Sequence, residues 1–178
     1  MTKAAFSDKG AESMSSRAFA GVVLVSLALL GGCYESATPL GPAERGMVNP
    51  DLLGTWSCRE ATKEAKAATL LVMGFDSSRY YLEWRDKDET TRWAAHSSIV
   101  GGALLHNVKE LKADGRDAQW VFMRALTPTE SQLHLALVKS DDLKKLSEQE
   151  ALREIRRRVK DESLYKPWAS CERVVSPQ

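Results

Sequence analysis

Two adjacent glycines, Gly101 and Gly102, separate two runs of strand-forming residues, Thr91–Val100 and Ala103–Leu111. A two-residue hairpin turn needs φ > 0 at both central positions, and glycine adopts that conformation without steric cost. The pair therefore joins the runs as an antiparallel hairpin with Val100 opposite Ala103. Counting outward sets the register: His96 faces Asn107, and Ser97 faces His106. Neighbouring residues on a strand point to opposite sides of a sheet. His96 and His106 thus fall on different faces, and a chain built around this hairpin must supply a sheet with two distinct surfaces.

The flanking sequence supplies it. Leu52–Cys58 and Ala68–Phe75 are strand signals. Arg79–Arg85 alternates, with Tyr80, Leu82 and Trp84 on one face and Tyr81, Glu83 and Arg85 on the other. Gln119–Leu126 and Gln132–Val138 follow, the latter with Leu133, Leu135 and Leu137 on one face. Polar turns at Asp86–Glu89, Ala113–Asp117 and Thr127–Ser131 separate them. Then the period changes. Ser147 with Glu150 makes a capping box, and Leu152, Ile155 and Val159 follow at helical spacing. Tyr165–Trp168, with Pro167, reads as a loop, and Ser170–Val175 as a last strand. The expected fold is mainly β: a small antiparallel barrel of about eight strands, with one C-terminal helix before the last strand.

Ahead of this domain, Arg17 precedes an uncharged apolar run, Ala18–Leu30. The run is shorter than the roughly 20 residues that cross a bilayer. A positive residue, a short apolar core and small residues after it form a secretory signal peptide. Leu30-Gly31-Gly32-Cys33 resembles the lipobox of bacterial lipoproteins, in place of an ordinary signal peptide with an incidental cysteine or a short anchor helix. The resemblance implies diacylglycerol on the Cys33 thiol, cleavage before Cys33 and acylation of the freed amine, and so a membrane partner held through lipid. Tyr34 after the cysteine, rather than Asp, implies the outer membrane, facing the periplasm. Met14 is the expected true start, because Met-Ser-Ser-Arg leads compactly into the apolar core. The boundaries are then 1–32 for the signal peptide, 33–50 for a lipidated cysteine and flexible tether rich in Pro and Gly, and 51–178 for the barrel.

Charge excludes one class of partner. The chain holds 25 basic and 24 acidic residues, and removing 1–32 leaves the two signs equal. No nucleic-acid partner is expected of such a surface. With Cys33 assigned to lipid, Cys58 and Cys171 remain. In an oxidising compartment they read as a disulfide joining the start of the domain to its end, the alternative being two structural thiols.

Gly54-Thr55-Trp56, opening the first barrel strand, resembles the Gly-x-Trp of the lipocalin superfamily. There the tryptophan packs at the closed end of an eight-stranded barrel under a late basic residue, which implies that role for Arg173 here. The helix precedes the last strand instead of following it, so the resemblance is to a lipocalin-like barrel. Leu104–Leu111, LLHNVKEL after a Gly-Gly hairpin, is similar to the corresponding strand in a group of bacterial proteins to which the resemblance attaches no activity.

No catalytic constellation emerges. His96, His106 and His134 invite a zinc reading, but the hairpin register separates the first two, so no metal is expected. Gly-x-Ser-x-Gly, an activated cysteine and a phosphate loop are missing. The carboxylates Asp86 and Asp88 sit in a turn. The basic run Arg153–Lys160 reads as a solvated helix face balanced by Glu150, Glu154, Asp161 and Glu162. Tyr80, Trp84, Trp93 and Trp120 are candidates to line a barrel cavity. The expectation is a non-enzymatic interaction or structural module with no cofactor, engaging an envelope protein. The alternative is a carrier or sensor for an apolar or amphiphilic ligand, with an envelope hydrolase well behind.

Overall fold

A computed structural model describes residues 32–44, 47–61, 67–114, 116 and 118–175. Met14, Arg17, Leu30 and Gly31 lie outside the described residues. The elements are β1 (Glu35–Ser36), β2 (Gly54–Glu60), β3 (Ala67–Gly74), β4 (Arg79–Arg85), β5 (Thr90–Val100), β6 (Ala103–Glu110), β7 (Trp120–Thr129), β8 (Gln132–Val138), α1 (Glu148–Arg158) and β9 (Tyr165–Arg173). Strands β2 to β9 close into an antiparallel barrel: β7 pairs with β8, β8 with β9, and β9 with β2. The helix precedes the last strand, as the periodicity predicts.

The glycine hairpin sets the register expected of it. Gly101 and Gly102 have φ of +54° and +75°. Val100 pairs with Ala103, His96 with Asn107, and Ser97 with His106. On β8, Leu133, Leu135 and Leu137 are all buried on one face. α1 begins at the expected capping box: the Ser147 hydroxyl accepts from the Glu150 amide, and the Glu150 carboxylate accepts from the Ser147 amide.

Alternation produces two separate cores. The barrel interior takes Trp56 and Cys58 from β2, Leu70 and Val72 from β3, Leu82 and Trp84 from β4, and Leu133, Leu135 and Leu137 from β8. The outer face of β5–β8 presents Val100, Leu105, Phe122 and Val138. There they meet Ala151, Leu152 and Ile155 of α1, with Tyr34 and Leu40 from the N-terminal segment. Truncating any such large buried side chain to alanine typically costs about 2–5 kcal/mol.

Two expectations need correction. The last strand starts at Tyr165 rather than Ser170, so Tyr165–Trp168 is strand and not loop. Proline removes a ladder donor and is tolerated in sheets at bulges. Here Pro167 pairs with Ala136 where the β8–β9 register shifts, Ala169 being the next partner, opposite Leu135. The second correction concerns residues 33–50, expected as a flexible tether. Residues 32–44 instead form a strap bonded to the barrel, and 47–53 form a cap over one barrel end.

The strap enters as a strand. On β7, Trp120 and Val121 pair with β6 on one side and with Ser36 and Glu35 of β1 on the other. From Met123 onward that second side belongs to β8. β1 thus continues the ladder where β8 leaves off. The Tyr34 amide donates to the Val138 carbonyl at 3.0 Å, Cys33 forms a bridge with Lys139, and the Ser140 amide donates to the Gly32 carbonyl at 3.0 Å.

Candidate functional site

At one barrel end, the residues expected to pack together do so. The Arg173 guanidinium lies 4.2 Å from the centroid of the Trp56 ring, and Trp56 is fully buried. Arg173 donates to three carbonyls: Leu53 at 2.7 Å, Asp51 at 2.6 Å and Glu130 at 2.8 Å. The Trp56 indole N–H donates to the Leu52 carbonyl at 3.0 Å. Gly54 has a φ of +130°, and a Cβ there would stand 2.9 Å from an Arg173 nitrogen. A side chain at this position would therefore strain the backbone and displace the arginine. Residues 47–53 complete the cap. The Tyr80 hydroxyl accepts from the Asn49 amide at 2.7 Å and donates to the Met47 carbonyl at 3.1 Å.

Cys58 and Cys171 form a disulfide within the interior, on directly paired positions of β2 and β9. The bond ties together strands 113 residues apart in sequence.

Of the four aromatics proposed as cavity lining, Tyr80 and Trp84 are buried in the interior core, and half-buried Trp93 packs against it. Trp168 joins them, 4.9 Å from Trp84 and 6.1 Å from Trp93 between ring centroids. Trp120 does not face the interior. It pairs with Lys109, on the outer parity of β7, and its ring stands edge-on to His96 at 5.2 Å. The register that separates His96 from His106 also separates Trp120 from the other three.

The histidines occupy opposite faces. His106 is buried inside, its Nδ1 3.0 Å from the Ser97 hydroxyl, with the Tyr80 ring edge-on at 6.0 Å. Burial, with the charge of His96 adding to it, pushes its pKa down to about 4, so the ring is neutral at physiological pH. His96 lies outside, where its Nε2–H donates to the Gly41 carbonyl at 2.9 Å. His134 pairs its Nδ1 with the Ser170 hydroxyl at 3.1 Å. Among the described residues no group of three His, Cys, Asp or Glu is placed to hold a metal ion.

His96 belongs to a row of polar side chains that grip the strap. The Leu40 amide donates to Asn107 Oδ1 at 2.8 Å, and Asn107 Nδ2 donates to the Ser98 hydroxyl. Ser98 in turn donates to the Pro42 carbonyl at 2.9 Å, and Arg156 of α1 to the Leu40 carbonyl at 2.8 Å. Glu148, in the first turn of α1, accepts from the Ser36 hydroxyl at 2.6 Å and from the Thr38 amide and hydroxyl at 3.0 Å. These bonds hold its carboxyl below its ordinary value, the Ser36 bond most. Two more members of the basic run are paired locally, Arg157 with Glu154 and Arg158 with Asp161.

Cys33 ends up at the opposite barrel end from Trp56. β8 runs from Gln132, beside Glu172, to Val138, beside Tyr165 and the strap. Cys33 is 6% exposed and packs on the interior cluster. Burial pushes its thiol pKa up, against the lowering effect of the Lys166 ammonium that hydrogen-bonds it.

Sequence reasoning misses Asn107, Ser98, Glu148, Arg156 and Lys166. One signal was present: Asn107 falls on the same strand face as Leu105, and a polar residue on an apolar face needs a partner. The partner is a backbone amide of a segment without periodicity, which no pattern reveals.

A closed antiparallel barrel with a helix and an N-terminal strap on one flank is thus the class the geometry defines. No family model, curated protein or solved structure matches the chain.

Proposed function

We propose that the chain is a lipid-anchored lipoprotein of the cell envelope, its barrel serving as a non-enzymatic interaction or structural module. Attachment follows from Leu30-Gly31-Gly32-Cys33 directly behind the apolar run Ala18–Leu30. Tyr34 after the lipidated residue supports the outer membrane, facing the periplasm, and the disulfide suits an oxidising compartment.

The observation that carries the choice of module over carrier is the barrel interior. Large side chains from successive strands, Trp56, Leu70, Leu82, Trp84, Leu133 and Leu135, meet there in one cluster. Eight strands give an interior just wide enough for side chains to fill or for one small ligand. That these large side chains share one buried cluster supports a packed interior, and with it recognition on the outer surface.

The test is mass spectrometry of the full chain made in a host that processes lipoproteins. Denatured, the protein should begin at Cys33 and carry acyl mass; natively sprayed, it should carry no further ligand. In-cell crosslinking should trap an envelope protein. An apolar ligand co-purifying at one equivalent would replace the module with a carrier. A processed chain beginning elsewhere than Cys33 would remove the anchor.

A further inference from the structure

We infer that the mature protein has no leash: the barrel is seated on the lipid surface by the end at which β1 enters it. The inference rests on the reading of Cys33 as the lipid-bearing residue.

A free tether over 34–50 could span roughly 55–60 Å when extended. The ladder removes that reach. Cys33 is itself bridged to Lys139, Tyr34 is bonded to Val138, and Glu35 pairs with Val121. No unbonded residue separates the lipid-bearing atom from the barrel wall. Whatever lies beside Cys33 must therefore lie beside the glycerol of its lipid.

Processing leaves this mount in place. Cleavage removes Gly32, and with it the carbonyl that receives the Ser140 amide. An acylated Cys33 amine presents another carbonyl through the same bond to the Cys33 nitrogen. Its α-carbon, like that of glycine, is an unbranched CH₂. The Ser140 hydroxyl, at the same place in the ladder, is buried and has no partner among the described residues.

Next to the sulfur itself, cations outnumber anions. The charged groups acting most on the Cys33 thiol are Lys166, Glu35 and Lys144, two cations to one anion. Lys166 hydrogen-bonds the sulfur. Its long side chain is only half-buried, so it can swing outward, freeing the sulfur for a thioether and carrying the ammonium to the headgroups.

The experiment uses the full chain, processed in its host and placed in nanodiscs of phosphatidylethanolamine and phosphatidylglycerol with nitroxide-labelled headgroups. Amide NMR signals of Tyr34–Ser36, Lys139–Lys144 and Lys166 should broaden severalfold. Those of Gly54, Gly101 and Ser131, about 20 Å away along the strands, should be nearly unaffected. Inserting about ten Gly/Ser residues between Cys33 and Tyr34 should abolish the contrast. Uniform or absent broadening on a chain whose mass shows the lipid overturns the mount alone. A mass without lipid overturns the mount and the anchor together.

Discussion

The two faces of the wall formed by β5–β8 are held by different physics. Inside, Leu133, Leu135, Leu137 and Met123 bury apolar surface against a core that the Cys58–Cys171 bridge crosses. That attraction is non-directional and grows with the area removed from water. Outside, α1 packs apolar side chains together with Tyr34 and Leu40 of the strap, and the strap is further gripped by hydrogen bonds with Asn107, His96, Ser98, Glu148 and Arg156. Each such bond contributes only about 0.5–1.5 kcal/mol net, yet leaving its buried partner unmade costs more. Both faces therefore bury an apolar core that contributes to the stability of the fold, and on the outer face the hydrogen bonds add control over whether the strap stays docked. Four perturbations break or sharpen that contrast.

The largest effect lies inside. Replacing Cys58 and Cys171 together with serine should lower unfolding free energy by about 4–5 kcal/mol, the chain-entropy value for so long a loop. Urea denaturation checks this, and every probe should shift together. A loss confined to the strap would break the comparison.

Next comes the interior histidine. Its folded pKa of about 4 lies below the ordinary 6.5, so the unfolded chain binds the proton more tightly. The stabilisation is fully present above pH 6.5 and is lost as pH falls toward 4, by about 3 kcal/mol in all. Denaturation across that range measures it. His106→Gln should flatten the slope, whereas His96→Gln, on the outer face, should leave most of it.

Asn107→Ala leaves the Leu40 amide without its partner and should cost about 1–3 kcal/mol. Hydrogen exchange should show the cost at Leu40 and neighbouring strap amides, with barrel strands little changed. The smallest effect is the helix cap. Ser147→Ala should cost about 1 kcal/mol and loosen α1 together with the Glu148 contacts, leaving the interior tryptophans undisturbed.

How legible each face was follows the same division. Alternation marks strands, and Gly101-Gly102 fixes a register, so the interior set of Tyr80, Leu82, Trp84 and the β8 leucines could be read directly. Trp120 could have been placed by extending that register across β7. The closed end was legible through Gly54, Trp56 and Arg173, although the three carbonyls that orient Arg173 were not. The strap was illegible because most of its bonds join side chains of the sheet and of α1 to backbone atoms of residues 38–42, and backbone atoms are the same whatever the residue. Pro39, Pro42 and Pro50 suggested freedom. In the fold Pro42 offers its carbonyl to Ser98, and Pro50 opens the 3₁₀ turn Pro50–Leu52 beneath Arg173. β9 was misread for a related reason: Pro167 breaks the pattern of a strand while sitting at a bulge that accommodates it.

The central claim is that the folded ladder begins at Cys33, so that the segment after the cysteine belongs to the barrel. Hydrogen exchange of the chain, resolved to single amides, tests it most directly. The account predicts that Tyr34 and Leu40, which donate to Val138 and Asn107, exchange at least a hundredfold more slowly than an unstructured peptide. Exchange of both at the unprotected rate, with the β8 amides still protected, would contradict it.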